Sequence, residues 1–417
     1  MRIPESAELL AVRDERTKHR KPPEHRRWHR RATIAALILL PVSVLALWIA
    51  IHRVGWLGPW LADTLRAIVG AEAVTELEKA AYSAQDWWDL RSRSDEAPQQ
   101  YWEATKPQPA SPSASASAAS ASPAIPARPP FRPLDVGPIY QDKTTDADGV
   151  WVPIDDPRHP QESPLAYKTM LHPDRRRSWS EVFIVALDPT RVRVHYMLGA
   201  VDPKPTTLPG RRVDRPALIP KAQWNQLVLA FNGGFKTEHR RYGAKVDGVF
   251  VVPGREGSCT ISVHTTESGD QIQVRSWEAL DPPGATATWL RQTPPCLCER
   301  GELHPGLRDE ASRKWGSLFG ETVIRRSALG LDRDGHTLFV GISNATTARV
   351  LARALRHAGA FDAAQLDVNW SYTKILLYRP GANGELRAES LVKGFVFDED
   401  EYLRQRAPRD FFYVVRK

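Results

Sequence analysis

With 417 residues, 42% of them hydrophobic, the chain is long enough for one large domain or two small ones plus tails. Its formal net charge of +8 invites a nucleic-acid reading, but much of the excess lies between Arg13 and Arg31, around Arg16, Lys18, Arg20 and Lys21 and the Arg-Arg pairs flanking Trp28 and His29. Charge that local describes an address rather than a binding face, so no nucleic-acid partner is expected.

In chain order, residues 1–32 form this basic tail. Thr33 to Ile51 (TIAALILLPVSVLALWIAI) follows without a charged residue and is just long enough to span a bilayer as a helix. Basic residues crowd its N-terminal side and only His52 and Arg53 follow closely, so the positive-inside rule puts the N-terminus in the cytoplasm. The expected topology is single-pass, anchored in the membrane by residues 33–51, with the rest periplasmic or on the cell surface. Residues 52–105 are rich in Trp and read as helical over Val54–Val69 and Ala71–Leu90, either as a juxtamembrane hairpin lying on the bilayer or as a spacer or self-association stalk. Residues 106–133 shift to Ala, Ser and Pro, a composition that buries too little apolar surface to order itself and so reads as a flexible linker.

Residues 134–417 are the expected extracytoplasmic domain, and their texture is β-rich. Glu181–Leu187 and Val192–Leu198, joined by Asp188-Pro189-Thr190, read as a hairpin. Leu227–Phe231, Val249–Val252, Cys259–His264, Ile272–Val274 and Phe411–Val415 are further strands. Helices are expected at Ala345–His357, with Asn344 as N-cap and Gly359 as its stop, and more weakly at Ala217–Gln226. Pro282–Trp315 lacks periodicity and reads as a long loop or insertion. The class is α+β with a mixed, mainly antiparallel sheet and few helices. Outside the cytoplasm one disulfide is permitted, and Cys259 with either Cys296 or Cys298 is its expected form, since the two cysteines of Cys-Leu-Cys are too close to bridge easily.

The residues that could carry chemistry fall at strand ends. Ala363–Val368 reads as a strand that delivers Asp367, Asn369 and Ser371 to its end and the loop beyond, and a carboxylate there is either a site residue or the partner of a buried arginine. Arg326, entering a sheet beside Arg325, is the expected partner, which would lower the pKa of Asp367. Asn232-Gly233-Gly234 closes an apolar strand, and adjacent glycines let the backbone approach a ligand or another strand. The following basic loop carries His239 as a proton-transfer candidate and Arg241 as an anion donor, before the Asp247-Gly248 turn.

Phe-Asn-Gly-Gly-Phe at 231–235, the Gly243–Gly248 loop, Arg326-Ser-Ala-Leu-Gly330 and the helix leading to Leu366-Asp367 together resemble the phosphodiester glycosidase family over about Lys168 to Val415. The resemblance implies a domain that hydrolyses a sugar-1-phosphodiester, with a carbohydrate or glycan-phosphate as its partner. It marks Asn232, Arg326 and Asp367 as catalytic, with Arg326 holding the phosphate and Asp367 acting as base or electrostatic partner. It further implies substrate binding by Gly233, Gly234, His239, Arg241, Asp247, Asn369, Trp370 and Ser371. Where well-known members have Leu-Asp-Gly-Gly-Gly-Ser, this chain has Leu366-Asp367-Val368-Asn369-Trp370-Ser371, so side chains stand where backbone amides would open to a phosphate. The competing reading is a non-catalytic glycan-binding or scaffolding domain on the same fold. No spacing demands a metal or other cofactor, although Asp367, Asn369 and Asp247 are hard oxygen ligands that would suit calcium.

Overall fold

The computed structural model describes residues 70–104 and 130–417, apart from 268, 310, 311 and 317–320, together with isolated positions before residue 70. The basic tail lies outside the described residues, as do all but isolated positions of the 33–51 run and all of the Ala/Ser/Pro linker before residue 130. Among the described residues no helix is long and apolar enough to cross a membrane.

Three sheets frame the compact unit Arg66–Lys417. The largest has eight strands, ordered Val152–Pro153, Ala166–Leu171, Val182–Leu187, Leu338–Thr346, Ile324–Leu331, Asp362–Gln365, Cys298–Glu299 and Glu302–Leu303. A second runs Leu386–Ser390, Ile375–Pro380, Leu227–Asn232, Phe411–Arg416, Val192–Met197, and a third Val249–Val252, Ala244–Val246, Trp289–Thr293, Cys259–Thr266, Gly269–Ser276. Every pairing between these strands is antiparallel. Helices α1 (Ala71–Ser92) and α2 (Ala348–His357) complete an α+β architecture.

Side-chain alternation explains how the layers meet. In Val182–Leu187, Phe183, Val185 and Leu187 join the core shared by the three sheets, while Val182, Ile184 and Ala186 face the cluster that includes Leu351 and Leu355 of α2. In Phe411–Arg416, Phe412 and Val414 point into the shared core and Phe411, Tyr413 and Val415 into a third cluster beneath Tyr402 and Leu403. Both strands are buried on both faces, which is why they read as apolar runs rather than alternating ones.

Four local expectations are corrected. Val182–Leu187 and Val192–Met197 do not form a hairpin, because Ala166–Leu171 and Leu338–Thr346 occupy both edges of the first while the second pairs with Phe411–Arg416. Asp188 turns the chain between sheets, its Oδ1 accepting from the Thr190 amide and hydroxyl at 2.9 and 2.6 Å. The α2 cap is Thr347, whose Oγ1 accepts from Val350 N at 3.2 Å, because the preceding strand runs on through Asn344 to Thr346. At 217–226 only a 3-10 turn forms, Lys221–Gln226, after Ala217 with its φ of 55° and Pro220. The stretch 282–315 is no simple loop: it contributes three strands to two sheets, among them Trp289–Thr293, whose residues are all buried.

One disulfide joins Cys259 to Cys296, with an S–S distance of 2.01 Å, leaving Cys298 as a buried thiol. The helical segment before the linker is not set apart from the domain. Asp86 of α1 forms a forked pair with Arg177, at 2.7 and 2.6 Å, and Tyr101 and Trp102 pack their rings against Phe183 at 4.8 and 5.9 Å.

Candidate functional site

The central strand Leu227–Asn232 lies between Ile375–Pro380 and Phe411–Arg416, and Asn232 is paired with Phe411 at its end. The two glycines that follow therefore run beside Asp410. Gly233 N donates to Asp410 O at 2.9 Å and Gly234 N to Asp410 Oδ2 at 3.2 Å. A Cβ on Gly233 would stand 2.5 Å from Asp410 O, and one on Gly234 2.8 Å from Arg291 Cζ. The close approach that the glycines permit is thus to Asp410 and Arg291.

Arg291 and Asp410 form a completely buried ion pair, Nε to Oδ2 at 2.6 Å. The other guanidinium nitrogens donate to Phe235 O at 2.5 Å and to Tyr242 O and Gln292 O at 3.2 Å. Tyr196 adds its hydroxyl to Asp410 Oδ2 at 3.0 Å. Burial works against the Arg291 charge, but Asp410 outweighs it and raises the pKa.

Asp367 stands across the glycine strip, its amide donating to Gly233 O at 3.1 Å. Its carboxylate pairs with Arg409, Oδ2 to Nη1 at 2.5 Å, and both side chains are buried. Arg409 Cζ lies 4.5 Å from the centre of the Tyr372 ring. Burial raises the pKa of Asp367, and neighbouring Asp410 adds to that, against the lowering pull of Arg409 and then His239. The expected lowering is reversed, because removing the carboxyl from water outweighs the ion pair. Arg409 Nη2 and Asp410 Oδ1 have no hydrogen-bond partner within the described structure, and Asp367 Oδ2 has none beyond its contact with Arg409 Nη1. Buried polar atoms are nearly always bonded, so Arg409 Nη2 and Asp410 Oδ1 stand out as a donor and an acceptor with uncommitted capacity beside the Asp367 carboxylate.

Arg326 does not meet Asp367. It is fully buried and gives its guanidinium to Thr346 O, Trp315 O, Thr322 O and Gln365 Oε1, at 2.9 to 3.2 Å, tying a loop to the sheet. Asn232 is likewise committed to the fold: Oδ1 accepts from Ser327 Oγ at 3.0 Å and Lys374 N at 3.2 Å, and Nδ2 donates to Gly233 O at 3.2 Å. It staples the end of its own strand to Ser327 of Ile324–Leu331 and to Lys374 just before Ile375–Pro380. Asn369 and Ser371 bond each other, the Ser371 amide and hydroxyl both donating to Asn369 Oδ1 at 3.0 Å. Trp370 is 37% exposed and rests on Arg325, whose guanidinium lies 4.0 Å from one ring and 4.5 Å from Phe395.

His239 is half-buried in the loop 236–241, close enough for its charge to act on Asp367. Arg241 is exposed at a φ of 52°, and Asp247 is exposed in the two-residue turn between Ala244–Val246 and Val249–Val252. The structure therefore brings Asp367, Gly233, Gly234 and His239 together, with Asn232 supporting them, and leaves Arg326 elsewhere. Among the described residues no group of three His, Cys, Asp or Glu side chains could hold a metal ion.

Arg291, Arg409 and Asp410 were not anticipated. Arg409-Asp410 does carry a readable signal, since charged residues directly before a strand as apolar as Phe411–Val415 face the same burial problem as Asp367.

No family model matches the chain, and no curated protein does. Solved structures are similar at a distance. The catalytic domain of zebrafish N-acetylglucosamine-1-phosphodiester alpha-N-acetylglucosaminidase, auto-inhibited by its pro-peptide, is 17% identical with a TM-score of 0.38, over 62% of this chain and 85% of that one. A hypothetical protein from Synechocystis is 13% identical with a TM-score of 0.35, over 62% and 65%. The chain is a mixed, mostly antiparallel α+β domain.

Proposed function

We propose that the chain is an extracytoplasmic hydrolase, tethered to the membrane by residues 33–51, that cleaves a sugar-1-phosphodiester or a related anionic envelope glycan. The observation that carries this reading is the buried Asp367–Arg409 pair beside Asp410, with Arg409 Nη2 and Asp410 Oδ1 left unbonded. Arg409 takes the role first expected of Arg326. Its Nη2 donates to a phosphate oxygen and stabilises the charge that develops as the phosphate departs. Asp367 takes a proton from the water that attacks the anomeric carbon, and its raised pKa brings it toward the range where a carboxylate is an effective base. The water oxygen bonds to the anomeric carbon, the bond from that carbon to the bridging oxygen breaks, and the phosphate leaves as a monoester. Asp410 is held by Arg291 and keeps the glycine strip in place.

The test is release of sugar from a panel of sugar-1-phosphodiesters by the purified full-length chain in detergent, with and without calcium. Asp367→Asn and Arg409→Ala should each abolish turnover while the proteins still melt cooperatively, and Arg241→Ala should not. A second reading, glycan binding without turnover, draws on the exposed Trp370 seated on a buried guanidinium. Absence of turnover, with glycan binding that survives Asp367→Asn and is lost in Trp370→Ala, would replace the first reading by the second.

A further inference from the structure

A third arginine reaches the neighbourhood of Arg409 and Asp410 from a segment without strand structure. Met197 is paired with Phe411, and beyond that pair the two chains stay together: Ala200 N donates to Ala407 O at 2.8 Å, and Val201 N and Asp202 N both donate to Pro408 O at 3.0 Å. The approach is so close that a Cβ on Gly199 would collide with the Arg409 backbone. Arg215 closes this loop. Its Nε donates to Gly199 O at 2.7 Å and its Nη1 to Pro203 O at 2.8 Å, while its own carbonyl accepts from Arg406 Nη2 at 2.7 Å. The guanidinium is thereby fixed beside the strip that carries Arg409 and Asp410. Its third nitrogen, Nη2, is enclosed and has no hydrogen-bond partner within the described structure. Burial lowers the pKa of Arg215, against the pull of Tyr196, Asp202 and Asp410, so these three groups lie around it. Asp410 commits Oδ2 to Arg291, Tyr196 and Gly234 and leaves Oδ1 unbonded. The loop that carries His239 is tied to the same place, since Thr237 N donates to Asp202 Oδ1 at 3.4 Å and Thr237 Oγ1 to Lys204 O at 3.1 Å.

We infer that Arg215 and Asp410 form the sugar subsite of the proposed hydrolase, Arg215 Nη2 donating to one free hydroxyl of the glycone and Asp410 Oδ1 accepting from it. This assignment rests on the hydrolase reading above. The combination of an unmet donor with an unmet acceptor selects the ligand group. A phosphate oxygen or a carboxylate would suit Arg215 but face the Asp410 carboxylate, and a cation would suit Asp410 but face the guanidinium. A hydroxyl presents a proton and lone pairs on one oxygen and suits both. Two carbonyls fix Arg215 and three donors fix Asp410, so neither group has to reorganise when the sugar arrives. The phosphate is left to Arg409 Nη2. Water offers the same donor and acceptor as a hydroxyl, and the experiment separates the two.

The full-length chain in detergent is given the sugar-1-phosphodiester that it cleaves fastest, and a series of analogues each lacking one ring hydroxyl. In the parent protein one analogue should lose at least about tenfold in kcat/KM, because a site built to bond a hydroxyl rejects the compound that leaves its buried groups unpaired. Arg215→Gln should lower kcat/KM for the intact sugar at least about tenfold and leave that one analogue unchanged, while the other analogues fall with the intact sugar. Arg215→Lys, expected to give the same pattern, is the second variant where Arg215→Gln does not melt cooperatively. A parent for which no analogue loses tenfold would overturn the subsite, with water alone as its occupant. A variant that lowers every analogue alike, or none, would also overturn it and make Arg215 a structural tie of the loop 199–203. Each of these results leaves sugar release by the parent intact. Absence of sugar release from every phosphodiester would instead overturn the hydrolase reading, and the subsite with it.

Discussion

Replacing Arg291 with methionine removes one charge from the most deeply buried ion pair near the site while keeping an unbranched apolar side chain in its place. The guanidinium is 0% exposed, holds Asp410 Oδ2 at 2.6 Å and also satisfies the carbonyls of Phe235, Tyr242 and Gln292. After the substitution Asp410 Oδ2 retains the Tyr196 hydroxyl and the Gly234 amide as donors, but no cation. Breaking a buried pair by removing one partner destabilises by about 3–5 kcal/mol. The expected loss in unfolding free energy by urea titration is therefore about 4 kcal/mol, with an unchanged m-value. Asp410→Asn in the same background removes the orphaned charge, so the double variant should be more stable than the sum of the single losses by at least about 1.5 kcal/mol. A loss below about 1 kcal/mol, or strict additivity with Asp410→Asn, would refute the claim that this pair fixes the glycine strip.

Asn232→Ala leaves the Ser327 hydroxyl and the Lys374 amide without their buried acceptor and should cost about 2–3 kcal/mol by the same titration, marking Asn232 as a staple. Because the folded-state pKa of Asp367 is raised, the folded form holds its proton longer than the unfolded one. Stability from this group is therefore fully present below the ordinary value of 3.8 and is lost as pH rises through the folded value, so Asp367→Asn should gain on the parent protein with rising pH across that window. A parallel pair of stability profiles would contradict it. Burial pushes the Cys298 thiol up to about 11, so a disulfide-exchange reagent should find no reactive thiol in the folded protein and one after denaturation without reductant.

The sequence made the α+β class legible because the strands of the core, such as Val182–Leu187 and Phe411–Val415, are nearly unbroken apolar runs, and it marked Asn232-Gly233-Gly234 as a place of close approach. What it concealed has two physical sources. A strand buried among polar partners carries no hydropathy signal: Arg291, Gln292 and Thr293 are all fully buried, yet as letters they resemble a solvated loop. The second source is long-range pairing. Which arginine meets Asp367 depends on Phe411–Arg416 lying beside Leu227–Asn232, a contact between segments far apart in the chain, and nothing local to Asp367 distinguishes Arg409 from Arg326.

Once that contact is made, the rest of the site follows from it. Phe411 pairs with Asn232, so Asp410 must lie against Gly233, and no residue with a Cβ fits there. Arg409, one residue earlier, is carried to the far side of the strip, where the Gly233 carbonyl already holds the Asp367 amide. The two carboxylates then share one buried neighbourhood with two arginines, and Asp410 adds to the cost of ionising Asp367. This is why burial, rather than the ion pair, sets the direction in which Asp367 titrates.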